Sequence, residues 1–226
     1  MTAELKIIAR IHTDFKTKFG LPRQSGIIPE LHGVIELEGE YRNPDALRGL
    51  DGYSHIWLIW GFSDGFASRS RDAKWSPTVR PPRLGGNKRV GVFASRSPNR
   101  PNPIALSVVK IEKIEDCKIY VSGIDMTDGT PIYDIKPYLP HIDSLPDARG
   151  GFALEKNGDK LIVEISEHLL KIIPESNRDA LLCCLKGDPR PSYQNDAREY
   201  GFDFAGFEIK FKVEGNLLTV TDVVNQ

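Results

Sequence analysis

The segment from Gly91 to Ile111, GVFASRSPNRPNPIALSVVKI, constrains the fold more than any other part of the chain. The apolar runs at its two ends are typical of β-strands. Its middle, Ser95–Pro103, contains three prolines, two arginines and two asparagines. Each proline fixes its own φ and restricts the residue before it. Because a rigid loop loses little entropy on binding, we predict that Ser95–Pro103 is a preorganised ligand-contacting loop between two strands.

Short apolar runs separated by turn signals recur along the chain and predict a mainly β protein. The 16 prolines and 20 glycines among 226 residues favour turns and short strands over long helices. The run Ser54–Phe62 is apolar on both faces, so we expect it to be a central strand. Regularly spaced short strands of this kind predict a β-barrel or a β-sandwich. Further strands are expected over Gly33–Leu37, Ile119–Ile124 and Ile132–Ile135.

The composition changes near Asp147–Gly151, which predicts a domain boundary. We expect a first domain over residues 1–147 and a small α+β domain over residues 148–226. The elements expected in the second domain are a strand over Lys160–Ile165, a helix over Asn177–Leu185 with Asn177 or Ser176 as its N-cap, and a hairpin of Phe207–Val213 and Leu217–Val223.

The cysteines and the N-terminal residues indicate the cellular compartment in which the protein is found. Cys117, Cys183 and Cys184 are odd in number and lack CxxC spacing, which predicts neither a disulfide framework nor a zinc site. The chain begins without a signal-peptide pattern, and no apolar run is long enough to cross a membrane. We therefore expect a soluble cytoplasmic protein that makes no membrane contact.

Positive charge is concentrated between Arg69 and Arg100. This segment holds nine basic residues and one acidic residue, a local charge of +8 in a chain whose formal net charge is −1. Such a segment suits a phosphate backbone, and three aromatic residues, Phe66 just before it and Trp75 and Phe93 within it, could stack on bases. The alternative is a solvated loop whose arginines pair with acids elsewhere. The candidate RNA contacts are Arg69, Arg71, Arg80, Arg83, Lys88, Arg89 and Arg100.

A second group of polar residues lies in DMTDGTPIYDIKPY, which ends at Tyr138. Asp128 and Gly129 indicate a turn, and one interpretation is that Asp128 only caps its own backbone there. Asp134 and Lys136 are two residues apart on an extended segment, so they should share a face, where one could tune the charge of the other. The segment is a candidate site because a lysine between a strand and a proline has no evident folding role.

His55 is the most informative of the five histidines, because it interrupts the apolar run SHIWLIW. It is either a ligand contact or a core histidine bonded to a backbone carbonyl. The histidines are not paired at metal-ligand spacing, so we predict no metal site. The chain has no GxGxxG after a strand, no P-loop and no GxSxG elbow. A nucleotide-type cofactor would therefore not be held on a Rossmann turn.

Five motifs in fixed order resemble the TsaA-like (TrmO) family over about residues 1–147. They are PRQ at Pro22–Gln24, RGLDGYSHIWLIWGF at Arg48–Phe62, RPPRLGGN at Arg80–Asn87, GVFASRSPNRPNPIALSVV at Gly91–Val109, and DGTPIYDIKPYLP at Asp128–Pro140. In addition, DPRPSY at Asp188–Tyr193 resembles the small C-terminal domain of that family. The family comprises S-adenosylmethionine-dependent methyltransferases that modify the 6-amino nitrogen of N(6)-threonylcarbamoyladenosine at tRNA position 37, next to the anticodon.

The resemblance implies a small β-barrel that binds S-adenosylmethionine without a Rossmann fold, acts on the tRNA anticodon stem-loop and forms a homodimer. It also implies the cofactor-binding residues. These are Pro22, Arg23, Gln24, His55, Ile56, Arg96, Asp128, Gly129, Thr130 and Pro131.

Methyl transfer from a sulfonium is an in-line displacement, which an enzyme assists mainly by alignment. The attacked nitrogen must also lose a proton, so a general base is expected, with Asp134 and Tyr138 as candidates. Lys136 would orient either this base or the threonyl carboxylate of the substrate. Two alternatives stay open: a non-catalytic sensor of S-adenosylmethionine or another nucleotide, and a methyltransferase of another RNA or a small molecule.

Overall fold

The structure is a computed structural model that describes residues 4–62, 75–81, 84, 88–154, 160–190 and 198–226. Six antiparallel strands close into a barrel, which removes unpaired sheet edges. They are β1 (Ala9–Thr13), β2 (His32–Leu37), β3 (His55–Gly61), β6 (Ile104–Glu115), β7 (Lys118–Ser122) and β8 (Thr130–Pro137). Around the barrel they follow the order β1, β2, β7, β6, β3, β8. The predicted mainly β architecture is therefore confirmed as a closed barrel.

Strand β3 lies in the barrel wall between β6 and β8, so the prediction of a central strand is confirmed. Its side chains alternate. Ile56, Leu58 and Trp60 are buried inside the barrel, whereas Trp57 and Ile59 on the outer wall are only half-buried. The apolar side chains of the outer face stay partly exposed, because a closed barrel encloses only one face of each strand.

A two-stranded ribbon precedes the proline-rich loop. In it, β4 (Thr78–Val79) pairs with β5 (Val90–Gly91). A single 3-10 turn, Val92–Ala94, follows at once. The sequence led us to expect a strand at the start of the proline-rich segment, and that expectation is wrong beyond Gly91.

The burial of the side chains in this 3-10 turn explains why the strand does not continue. Val92 is buried, and its N–H donates to the carbonyl of Pro77 at 2.9 Å. The next residue, Phe93, is exposed to solvent. Of the run Gly91–Ala94, only Val92 is therefore buried, and among the described residues no strand pairs with the run beyond Gly91. The other flank, which begins at Ile104, is the long strand β6 as predicted.

The C-terminal residues form a small α+β unit, as predicted. Its elements are β9 (Ile162–Glu164), α2 (Glu167–Ile172), α3 (Glu175–Lys186), β10 (Tyr200–Phe204), β11 (Phe207–Glu214) and β12 (Leu217–Asn225). Strands β11 and β12 form the expected hairpin, and β9 pairs with β12 in parallel. The short helix α2 and the strand β10 were not predicted.

Helix α3 is confirmed, but its predicted N-cap is wrong. The helix begins at Glu175, and the N-cap position is Pro174, which makes no side-chain cap. Ser176 and Asn177 therefore lie within the first turn. The side-chain amide of Asn177 donates instead to the carboxylate of Asp14 at 2.8 Å, a contact between the helix and the chain just after β1.

One apolar core extends from the barrel into the C-terminal unit. Its central contact is an edge-to-face pair of Phe15 and Phe204, with ring centroids 5.3 Å apart and both side chains fully buried. Burial at this junction raises the pKa of Asp14, although the hydrogen bond from Asn177 and the nearby His32 oppose the shift. The two parts of the chain therefore stabilise each other.

The described residues also bear on membranes, metals and disulfides. They include no helix long and apolar enough to span a bilayer. In the same ranges, no three histidine, cysteine, aspartate or glutamate side chains come close enough to hold a metal ion. Cys117, Cys183 and Cys184 are free thiols.

Candidate functional site

The turn at Asp128 and Gly129 is fixed against the end of β1. The N–H of Asp128 donates to the carbonyl of Phe15 at 2.8 Å, and that of Gly129 donates to the carbonyl of Ile11 at 2.9 Å. Gly129 has a φ of 73°, which glycine adopts without strain. The Asp128 carboxylate accepts from the N–H of Thr13 at 3.2 Å, so it caps β1 rather than its own turn.

The two residues after the turn begin β8. Thr130 is buried, and its hydroxyl donates to the carbonyl of Thr127 at 2.8 Å. Pro131 is half-buried and lies opposite Arg10 in the β1–β8 ladder. The guanidinium of Arg10 donates to the carbonyl of Gly129 at 2.8 Å. Strand β1 therefore positions the whole predicted cofactor-binding turn.

Gln24 and Arg96 lie 72 residues apart in the chain and are in direct contact. The guanidinium of Arg96 donates to the side-chain carbonyl oxygen of Gln24. Pro22 and Arg23 precede Gln24 in the same loop, which continues to Ser25. The hydroxyl of Ser25 accepts from the N–H of Val108 at 3.2 Å, which ties the loop to β6. The structure therefore brings together the loop and arginine that the sequence assigned to the cofactor.

A buried carboxyl that sequence reasoning left without a role lies beside this loop. The hydroxyl of Ser107 donates to Asp125 Oδ1 at 2.7 Å, and Trp60 Nε1 donates to the same hydroxyl oxygen at 3.0 Å. Burial raises the pKa of Asp125 to about 6, although hydrogen bonds from Ser107 and from the main chain of Ser25, and the charge of Arg96, oppose the shift. The sequence places Asp125 directly after an apolar run, at the start of the second polar group DMTDGTPIYDIKPY, but gave it no role of its own.

Asp134 and Lys136 share the outer face of β8, as predicted. Lys136 Nζ lies 2.7 Å from Asp134 Oδ2, and Asp134 Oδ1 accepts from the N–H of Ile135 at 2.9 Å. In the β3–β8 ladder they stand opposite Trp57 and Ile59. This ion pair holds the Asp134 carboxylate in a fixed orientation at the surface.

His55 and Tyr138 meet at the end of β8 that is away from the turn. Their ring centroids are 6.3 Å apart, and the ring of Tyr138 is 5.7 Å from that of Trp57. The hydroxyl of Ser54 lies 2.9 Å from His55 Nδ1. Because His55 is half-buried and bonded to a hydroxyl, the alternative of a core histidine bonded to a carbonyl is wrong. The helix α1 (Pro140–Asp143) supports this aromatic group.

A cleft of about 690 Å³ opens beside Asp134. Its wall includes Tyr53, Ile135 and Pro137, which lie close to the aromatic group of His55 and Tyr138. The cleft is large enough for a ligand the size of a nucleoside. Of the three predicted catalytic residues, Asp134 lines this cleft, whereas Lys136 and Tyr138 do not.

The predicted cofactor residues do not form one cluster within a single chain. Pro137, at one end of β8, pairs with Ile56 next to His55, whereas Thr130 at the other end directly follows Asp128. An extended strand of eight residues spans on the order of 20 Å. His55 and the turn are therefore separated by about the length of β8. The side chain of Ile56 is fully buried inside the barrel, so it could contact a ligand only through its main chain.

The basic segment is described in part. Arg80, Lys88, Arg89 and Arg96 are exposed, and Arg100 is half-buried. Within the described ranges, no acidic side chain forms an ion pair with any of these five. The four exposed side chains therefore offer positive charge to an anionic partner, whereas the guanidinium of Arg100 donates to the carbonyl of Ser95 at 2.8 Å. The predicted contacts Arg69, Arg71 and Arg83 lie outside the described residues.

Both parts of the chain match known protein domains. Residues 10–144 match the tRNA-methyltransferase O N-terminal domain, and residues 160–226 match the TrmO C-terminal domain. The chain belongs to the TrmO family. The resemblance given by the five motifs is thereby confirmed.

Several TrmO relatives are similar over nearly the whole chain. The tRNA (adenine(37)-N6)-methyltransferase of Escherichia coli strain K12 is 36% identical over 219 residues, which is 91% of each chain. A putative S-adenosylmethionine-dependent methyltransferase, RcsF, of Pseudomonas aeruginosa is 37% identical and covers 99% of this chain and 98% of its own. A crystal structure of TrmO from Pseudomonas aeruginosa superposes with a TM-score of 0.77 at 31% identity, covering 100% of both chains.

Proposed function

We propose that this chain transfers a methyl group from S-adenosylmethionine to the 6-amino nitrogen of N(6)-threonylcarbamoyladenosine at tRNA position 37. The observation that carries the proposal is the match of both parts of the chain to the two TrmO domains. The exposed basic side chains beside the proline-rich loop give the phosphate contacts that a tRNA requires. A sensor of small molecules would not need them.

The polar groups of the site fit the proposed cofactor. S-adenosylmethionine supplies a methyl group on a sulfonium and also carries a carboxylate, an amino group and an adenine. Arg96 and Gln24 offer donors for a carboxylate or an adenine edge. The turn at Asp128 and Gly129 offers carbonyl oxygens, of which that of Gly129 keeps one lone pair beside its bond from Arg10. Neutral acceptors are suitable, because a strongly anionic wall would stabilise the sulfonium of the ground state too much.

Residues on the outer wall of β8 are the candidates for removing the proton from the attacked nitrogen. Asp134 is held by Lys136 next to the cleft of about 690 Å³, where its carboxylate could accept the proton of the attacked nitrogen. Tyr138 is the second candidate for the base, because it meets His55 at the same end of the strand. We assign Lys136 to the orientation of the base or of the threonyl carboxylate of the substrate.

We also infer a homodimer in which the two chains complete each cofactor site. The first support is the separation of His55 from Asp128 along β8, which places them on the order of 20 Å apart within one chain. The second is the outer wall of β3 and β6, where Leu106 is 50% exposed and Ile104 is 37% exposed on the face shared with Ile59. An exposed apolar strip on a barrel wall is typical of a surface covered by a second copy.

Two coarser features accompany this function. We propose a cytoplasmic location, which suits a tRNA substrate and three free thiols. We also propose the division of the chain at residues 147 and 148, between the ranges that match the two TrmO domains.

The decisive experiment measures transfer of labelled methyl from S-adenosylmethionine to tRNA from cells with and without threonylcarbamoylation. We expect label only in the modified tRNA. Label in both tRNA pools would keep the methyltransferase but move the target nitrogen. Label in neither pool, with cofactor binding intact, would contradict the proposal in favour of a non-catalytic sensor.

A further inference from the structure

We propose that Trp75 and Phe93 form a stacking site for an unpaired base of the tRNA anticodon loop, an inference that rests on the proposed function. Phe93 is 73% exposed and Trp75 is 52% exposed, more than any other aromatic side chain in the described ranges. Their ring centroids are 6.2 Å apart, and their planes are tilted by 33°. Two large rings side by side in water form an apolar surface of the size and shape of a base.

The framework around this stacking site is ordered by backbone contacts. Val92, which precedes Phe93, is buried, and its N–H donates to the carbonyl of Pro77 at 2.9 Å. The ladder of β4 and β5 joins the segments that carry the two rings, and the guanidinium of Arg89 donates to the hydroxyl of Thr78 at 2.9 Å. The rings therefore stand next to each other before any ligand binds, which lowers the entropy lost on binding.

The charges around the rings favour RNA as the occupant. The guanidinium carbon of Arg100 lies 5.9 Å from the centroid of Phe93, and Lys88 and Arg89 are exposed on the neighbouring ribbon. Bases of single-stranded nucleic acid stack on aromatic rings while nearby cations contact the backbone phosphates. A purely apolar partner would make no favourable contact with the cations, whereas a nucleotide stacks its base on the rings and pairs its phosphate with the charges.

The position of the stacking site relative to the cofactor residues identifies which base it would hold. Phe93 is three residues before Arg96, so at most about 11 Å of chain separates them. Arg96 contacts Gln24 in the predicted cofactor loop. An enzyme that modifies a base must take that base out of its stack, which leaves the neighbouring base without a partner. Trp75 and Phe93 would stack on this neighbour and replace the contact it has lost.

The test compares Trp75→Ala and Phe93→Ala with the wild-type chain. We expect each change to weaken binding of a synthetic anticodon stem-loop RNA by about 5- to 150-fold. Affinity for S-adenosylmethionine should stay unchanged, and Phe93→Tyr should keep RNA affinity. The matched control is Ile162→Ala, which removes an apolar side chain that is 56% exposed on the C-terminal sheet. It should leave both affinities unchanged.

Three results would overturn the inference. The first is wild-type RNA affinity in both alanine variants. The second is loss of RNA affinity together with dissociation of a wild-type dimer in light scattering, because the rings would then contact a second copy of the chain. The third is failure of the wild-type chain to bind the stem-loop while it binds S-adenosylmethionine, which would remove the proposed tRNA substrate along with the stacking site.

Discussion

Asp125 carries its charge at a cost to the folded state. Burial raises its pKa from 3.8 to about 6, so the folded chain holds this proton more tightly than the unfolded chain does. Below pH 3.8 the buried proton makes its full contribution to the free energy of unfolding. That contribution is lost as the pH rises from 3.8 to about 6, and the total loss is on the order of 3 kcal/mol.

Substitution of Asp125 by asparagine isolates this effect. Asp125→Asn removes the charge, so the free energy of unfolding of the variant should rise relative to wild type by about 2 kcal/mol between pH 4.5 and pH 7.5. Urea unfolding at both pH values measures this difference. The control is Asp51→Asn, because Asp51 is exposed. A difference between Asp125→Asn and wild type that does not change with pH would contradict the prediction.

The outer wall of β8 gives a second prediction at this scale. Asp134→Asn should lower the single-turnover rate on modified tRNA by about 10²-fold or more if Asp134 is the base, with cofactor affinity unchanged. Lys136→Ala should lower the same rate, because it frees the carboxylate that it now holds at 2.7 Å. The control is Lys110→Ala, because the ammonium of Lys110 also forms an ion pair on a barrel strand, with Glu112 on β6.

Two outcomes would revise these assignments. Wild-type rates in Lys136→Ala would remove that residue from the proposal. A normal rate in Asp134→Asn together with a low rate in Tyr138→Phe would make Tyr138 the base.

Some contacts of the candidate site could be predicted from the local sequence, and others could not. The shared face of Asp134 and Lys136 follows from the alternation of an extended segment, which is a local property. The contact of Gln24 with Arg96 and the hydrogen bond from Ser107 to Asp125 join residues that are distant in sequence. The closure of the barrel creates these contacts, and no local pattern encodes them.

At the scale of elements, the strands were predicted where hydrophobic pattern and turn signals agreed. Strand β3 is strongly apolar, and the turn before β8 contains Gly129 with a positive φ. The first flank of the proline-rich segment had the composition of a strand. In the described part of the chain it pairs with no strand beyond Gly91, and Val92–Ala94 form a 3-10 turn. Helix α2 has six residues, too few for a clear helical period in the sequence.

The outer faces of β3 and β6 give a prediction about assembly. Leu106→Glu should convert the proposed dimer into a folded monomer, because a charge placed on the apolar wall would be desolvated on association. Light scattering gives the mass, and circular dichroism checks the fold. Ile162→Glu is the control, since Ile162 is similarly exposed but lies on β9. A dimer that survives Leu106→Glu would exclude this wall as the interface.

At the scale of the whole molecule, the barrel and the C-terminal unit share one core. All three tryptophans, Trp57, Trp60 and Trp75, are in the first part of the chain, so fluorescence reports on that part alone. Phe204 lies in the other part and packs edge-on against Phe15. Phe204→Ala should destabilise the chain by about 3–5 kcal/mol, because it opens a cavity at this contact.

The measurement is urea unfolding followed by tryptophan fluorescence and by far-ultraviolet circular dichroism. Both signals should shift together in Phe204→Ala, since a shared core unfolds as a unit. A fluorescence transition that stays at the wild-type midpoint would show that the barrel unfolds independently. The matched control is Val224→Ala, because Val224 is an exposed residue of β12.

The length of β8 has a consequence for genetics. It separates His55 from Asp128, so a chain damaged at one end keeps the other end intact. In mixed dimers of His55→Ala and Asp128→Ala chains, one of the two sites would combine both intact halves. Two inactive proteins mixed in equal amounts should therefore recover about a quarter of wild-type activity. Sites built within one chain would recover none, so such intragenic complementation would show that each site draws on two copies.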